Sequence, residues 1–151
     1  MPLKNSDDVV KVHKGFQEQY ESLRETVRNK SAKLLIQFSP PEIVITGHSL
    51  GGALATLCGL DLTLKPISLP TVPIKVVTFG SPKVGDGEFV KLFNRSVVNC
   101  FRLRVKYDPF PQLPPSLPGL RYEHVGQDVI LKEPDEDDII DLTPIGKSCN
   151  S

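Results

Sequence analysis

Glu42-Ile43-Val44-Ile45-Thr46-Gly47-His48-Ser49-Leu50-Gly51-Gly52-Ala53 decides how the rest of the chain is read. An apolar run rich in β-branched residues leads into Gly47-His48-Ser49-Leu50-Gly51, and a run of small, helix-forming residues leaves it. Strand, sharp turn, helix is the setting in which the serine of Gly-x-Ser-x-Gly acts as a nucleophile. Such a serine sits at the tip of the turn in a strained conformation, with its hydroxyl exposed at the carboxyl end of the strand. Gly47 and Gly51, two before and two after, leave room for backbone to pass closely. The N–H of Leu50, at the amino end of the helix, can point at a developing oxyanion, helped by the helix dipole. The pentapeptide alone also suits an ordinary turn, so the flanking chain has to carry the reading further.

Upstream, Phe16, Tyr20, Leu23 and Val27 recur at helical spacing and predict an amphipathic helix from about Gly15 to Leu35. Gln17, Glu21, Arg24, Glu25 and Arg28 are expected on its outer face. Ser39-Pro40-Pro41 ends that helix and launches a strand from Glu42 to Thr46. Downstream, Leu50 to Leu62 is apolar on most faces, as in a helix buried on more than one side. Ile74 to Phe79 is nearly continuous in apolar residues and is expected as a parallel strand covered on both faces. Strand, helix, strand in this order is a βαβ unit. Asp86 is placed to cap a short helix from Gly87 to Phe93. From Asn99 to Lys106, Phe101, Leu103 and Val105 alternate with Arg102, Arg104 and Lys106. The apolar set is expected on the core and the basic set toward solvent or an acidic neighbour. A proline-rich loop, Tyr107 to Pro115, and a last strand, Tyr122 to Leu131, follow.

The totals bound the function. At 151 residues the chain is one domain with a sizeable core. Residues 1–10 read as a flexible lead-in, 11–132 as the folded domain, and 133–151 as an acidic, poorly ordered tail. The run Glu133-Pro134-Asp135-Glu136-Asp137-Asp138 lacks the spacing and glycine of a calcium loop and reads as a solvated turn. Eighteen basic and eighteen acidic residues cancel, which gives no footprint for nucleic acid. There is no apolar run of membrane-spanning length. The start, Met1 to Asp8, has no apolar signal core, so a cytoplasmic location is expected. Cys58, Cys100 and Cys149 have no metal or redox spacing, and no metal or cofactor is expected.

Five phrases stand in order: Val12-His13-Lys14-Gly15-Phe16, Gly47-His48-Ser49-Leu50-Gly51-Gly52, Thr78-Phe79-Gly80-Ser81-Pro82-Lys83-Val84-Gly85-Asp86, Asp108-Pro109-Phe110-Pro111-Gln112-Leu113-Pro114-Pro115, and Tyr122-Glu123-His124-Val125-Gly126. Together, over about residues 11–131, they resemble the class 3, fungal-type lipases. The resemblance implies an α/β-hydrolase core, truncated at both ends, with a mostly parallel sheet flanked by helices. It implies hydrolysis of carboxylic esters of the acylglycerol type, with a lipid or small ester as substrate and a peripheral membrane or lipid-droplet surface as the setting. It matches the nucleophile to Ser49 and the triad acid to Asp108. It puts the triad base beyond the Tyr-x-His-x-Gly phrase, where this chain has no histidine. His124 is the only histidine after Asp108 and so the only downstream candidate, while His48 is an elbow neighbour and His13 matches a position outside the triad. The second oxyanion donor and the lid are implied upstream of Val12. The alternatives are a catalytically impaired lipase-like module that binds lipid or protein, or a fragment of a longer lipase.

Overall fold

The computed structural model describes residues 4–5, 8–67, 71–106, 108–115 and 121–131. The expected acidic turn and the tail at 133–151 lie outside the described residues. At the start, Lys4–Asn5 (β1) and Asp8–Val9 (β2) pair antiparallel. The first helix, α1, spans Lys14–Phe38, and the strand β3 spans Ile43–His48. Helix α2 covers Leu50–Leu64 and strand β4 Ile74–Phe79. After these come β5 (Gly85–Asp86), α3 (Gly87–Ser96), β6 (Asn99–Val105), β7 (Tyr122–Glu123) and β8 (Gln127–Leu131). The expected last strand is thus two strands, broken at Gly126, whose φ of 65° is one a side chain rarely adopts.

β3, β4, β6 and β8 form one four-stranded sheet in that order, and every neighbouring pair is parallel. This is the expected mostly parallel sheet flanked by helices. Because the strands are parallel, their carboxyl ends share one edge. His48, Phe79 and Val105 end their strands there, so the turns that follow them are neighbours in space. β5 and β7 pair antiparallel beside the main sheet, with Asp86 opposite Tyr122.

α2 lies across β3 and β4. A Cβ on Gly59 would stand 2.5 Å from Val76 Cγ2, so the glycine lets the helix pass close over β4. Ala53, Leu60, Val76, Phe89 and Phe93 are wholly enclosed in the core. α1 packs on α2, and here the outer-face expectation fails for two residues. Arg24 and Arg28 turn inward to Asp61 of α2, with contacts of 2.6 and 3.0 Å, and the Tyr20 hydroxyl donates to the same carboxylate at 3.0 Å. Leu23, expected in the apolar stripe, is exposed. A half-buried acid on a partner helix outweighs periodicity, since an unpaired charge there is costly. Burial works against ionisation of Asp61, but the bonds from Arg24, Arg28 and Tyr20 prevail and hold it below the usual carboxylate range.

β6 is also reversed relative to expectation. Cys100 and Arg102 are buried, whereas Val105 is exposed. Arg102 donates to the Val125 carbonyl at 2.9 Å and pairs with Asp128 at 3.2 Å. Asp128 is the acidic neighbour, and it receives the arginine on the helix-covered side. β4 is likewise covered on one face: Val76 and Thr78 are buried while Phe79 is exposed.

Candidate active site

Ser49 is the single residue between β3 and α2, with φ 51° and ψ −122°. No helix or strand uses these angles, and for a residue with a Cβ they store strain that the surroundings must hold in place. The holding bonds are visible. Ser49 N–H donates to the Phe79 carbonyl at 2.9 Å, and Gly52 N–H donates back to the Ser49 carbonyl at 2.9 Å. The hydroxyl makes no capping bond to the helix it precedes. A Cβ on Gly47 would overlap the Gly51 carbonyl oxygen, and one on Gly52 would stand 2.7 Å from Ser81 Cβ. Nothing lies within 4 Å of a Cβ on Gly51, so the close passages are at Gly47 and Gly52 instead. Leu50 is the first residue of α2, where backbone N–H groups have no partner within the helix.

A cavity of about 320 Å³ contains Ser49 and Leu50 and is walled by Phe16, Phe110, Leu113 and prolines of the loop after β6. Among the described residues that line it, Ser49 and His13 are the two with polar side chains. An apolar recess with few polar groups is the usual form of a small-molecule site. A second cavity, of about 300 Å³, lies at the amino end of the strands beside Ile43, Ile74 and Asn99 and holds none of the site residues.

Asp108 stands in the loop after β6. Its Oδ1 accepts from Phe110 N–H at 3.0 Å, an Asx-type turn. Its Oδ2 is 3.3 Å from where a Gly80 Cβ would be, and His48 Nε2 is 3.8 Å from the same point. Gly80, with φ 56°, also lines the Ser49 cavity, so it is the common neighbour of Ser49, Asp108 and His48. A side chain there would enter the space they share.

His124 lies between β7 and β8 and is not among the residues lining the Ser49 cavity. Its ring bonds to the Pro111 backbone, and its Nδ1 is buried without a partner. Burial first, and the Arg102 charge next, lower its pKa to about 4. The histidine that does line the cavity is His13, immediately before α1. Sequence reasoning set it aside, because nothing in the sequence shows which helix start will face the serine turn.

A parallel sheet with a serine turn at its carboxyl edge is the arrangement of the α/β-hydrolase fold. The chain belongs to the class 3 lipase family: the family's model, Lipase (class 3), matches residues 1–117. It is 33% identical over 118 residues to a lipase of Rhizomucor miehei, covering 78% of this chain and 32% of that one. It is 34% identical over 113 residues to secreted mono- and diacylglycerol lipase 1 of Fusarium solani, covering 74% of this chain and 32% of the relative. The solved lipase of Rhizopus microsporus var. chinensis superposes with a TM-score of 0.76 at 29% identity, covering 89% of this chain and 47% of that structure. The chain thus spans 19% to 34% of the length of these curated relatives. The similarity to secreted lipases overturns the cytoplasmic expectation. That expectation rested on the composition of the first eight residues, which says nothing of the compartment in a chain spanning only part of its relatives.

Proposed function

We propose that this chain carries the nucleophile half of a serine ester hydrolase acting on acylglycerol-type esters, with Ser49 as nucleophile. The observation that carries the reading is the strained Ser49 conformation at the strand-to-helix junction, opening onto an apolar cavity. The same conformation supports reading the turn as a nucleophile elbow. An acyl chain packs against Phe16, Phe110 and Leu113, and Ser49 Oγ attacks the ester carbonyl. The Leu50 N–H, free of an intrahelical partner, receives the negative charge that develops on the carbonyl oxygen, a contribution of about 3 kcal/mol for a well-aimed donor. Asp108 is the triad acid, and its Oδ2 beside Gly80 supports that role, since Gly80 lines the Ser49 cavity. The secreted relatives support a secretory location and a lipid substrate.

The base is where a second reading gains support. His124 bonds to Pro111, has a pKa of about 4, and does not line the cavity. These features favour a structural part for His124 and a chain that turns over esters weakly or only binds them. Losing triad members still leaves about 10³–10⁴-fold rate enhancement over water in this type of site. A fluorophosphonate probe with Ser49→Ala as control, run beside hydrolysis of butyrate esters, tests both readings. Ser49-dependent labelling with slow turnover, unchanged in His124→Ala, is expected. Absence of Ser49-dependent labelling ends the nucleophile reading, and a collapse of turnover in a folded His124→Ala variant restores His124 as base.

A further inference from the structure

Among the described residues, His13 is the one polar side chain that shares the cavity with Ser49. Its ring is fixed on several sides. Phe16 lies at a centroid distance of 4.3 Å and Tyr122 at 5.9 Å. Underneath is Gly15, where an added Cβ would stand 3.3 Å from His13 Cε1 and 3.5 Å from Nδ1, so a side chain there would crowd the imidazole. Nδ1 is buried and has no hydrogen-bond partner. It stands against the first turn of α1, where N–H groups without intrahelical acceptors and the positive end of the helix dipole gather. A proton on Nδ1 would meet like partial charge and find no acceptor. The tautomer that suits this position leaves Nδ1 bare and carries the N–H on Nε2. The ring edge left for the cavity is a hydrogen-bond donor between apolar walls, where such a bond is stronger than in water.

Building on the assignment of Ser49 as nucleophile, we propose that His13 is a substrate-binding residue whose Nε2–H holds an ester oxygen in the Ser49 cavity. It is not the base. Among the described residues no carboxylate bonds to its ring, and Asp108 lies instead beside Gly80 and His48. A donor of this kind fixes which way round an ester lies, with its acyl chain on Phe110 and Leu113 and an oxygen toward His13.

Long-range ¹H–¹⁵N spectra of the chain labelled in histidine nitrogen test this without any turnover. His13 is expected as the Nε2–H tautomer. In Ser49→Ala, which cannot consume the ligand, a butyl butyrate titration is expected to shift the His13 Nε2 resonance, and an alkane of equal length is not. An Nδ1–H tautomer, or equal responses to ester and alkane, would overturn the proposal. Phosphonate labelling of Ser49 adds a kinetic arm. His13→Phe keeps the ring between Phe16 and Tyr122 but removes the donor, and should slow labelling about tenfold, the worth of one hydrogen bond of about 1.4 kcal/mol. His13→Gln restores an N–H and should recover part of the rate. Equal rates in His13→Phe and the parent chain would also overturn it. If Ser49 does not label at all, the spectra still decide the role of His13, so the two readings fail separately.

Discussion

The two faces of the four-stranded sheet differ sharply. On one, Val76 and Cys100 are buried under α2 and its neighbours, and Arg102 is enclosed with its partners. On the other, the alternation of side chains places Val44, Phe79, Val105 and Val129, which are 54%, 41%, 45% and 36% exposed. This face also carries Lys75, Asn99 and Gln127, but its valines and Phe79 are of the kind a parallel sheet buries. Their composition is therefore that of a sheet with two helical layers, while the described residues supply one. The same contrast explains why β6 turns the opposite way from its apolar alternation. Phe101, Leu103 and Val105 are patterned for a layer, but the layer in this chain lies over Cys100 and Arg102. Hydrophobic pattern tells which side is fit for burial, and the neighbours decide which side is buried.

The sharpest way to break this comparison is to weaken the covered side. Phe93 of α3 is fully enclosed. Phe93→Ala should cost about 3–5 kcal/mol, through lost transfer energy and the cavity left behind. For a chain this size that removes much or all of the cooperative urea transition, followed by circular dichroism. A loss under about 1 kcal/mol would mean that the helical layer is not the core of this chain.

Next in size is the polar tie within that layer. Asp61→Ala leaves Arg24 and Arg28, with side chains 26% and 19% exposed, facing each other without their acid. About 2–3 kcal/mol of destabilisation is expected, below the cost for a fully buried pair because water reaches the arginines. The pKa of Asp61 is below the ordinary carboxylate value, so this contribution is present above about pH 4 and disappears only as pH falls through the lowered pKa. Urea midpoints of parent and variant, compared at pH 7 and pH 4.5, should keep the same separation.

His124 gives a smaller effect with a distinct pH signature. Its folded pKa of about 4 lies below the ordinary value of 6.5, so between these pH values the unfolded chain takes up a proton that the folded chain refuses. Stability therefore falls as pH drops through that window, by about 1–2 kcal/mol once partial exposure is allowed for. His124→Gln should remove that part of the slope. Identical slopes in the two proteins would show that the ring is not held neutral by the fold.

How much of this could be read from the sequence depends on how local each signal is. The strand–turn–helix around Ser49 was legible because twelve consecutive residues encode it, including Gly47, whose lack of a side chain is a steric necessity at the turn. The Asp86 cap was legible for the same reason, with Oδ1 accepting from Phe89 N–H at 2.9 Å. Arg24 and Arg28 were misjudged because their acid lies on another helix, more than thirty residues away. His13 was passed over because its nearness to Ser49 exists only after α1 has docked. The separation of His124 from the cavity likewise depends on the Pro111 carbonyl, a partner no spacing rule reveals.

The least destabilising change probes the bare face itself. Phe79 ends β4, and its backbone carbonyl receives the Ser49 N–H, but its side chain stands 41% exposed. Phe79→Ser removes apolar surface without opening a cavity, so the urea midpoint should move by no more than about 0.5 kcal/mol, as at ordinary surface positions. The same change reduces a contiguous apolar patch of the kind that drives association, so sedimentation at rising protein concentration should show less self-association than the parent chain. The two measurements pull apart the two faces. A residue that is bare loses little stability and gains solubility, whereas one under a second layer loses several times more. If Phe79→Ser destabilises the chain as Phe93→Ala does, the contrast between the two sides of the sheet is overturned.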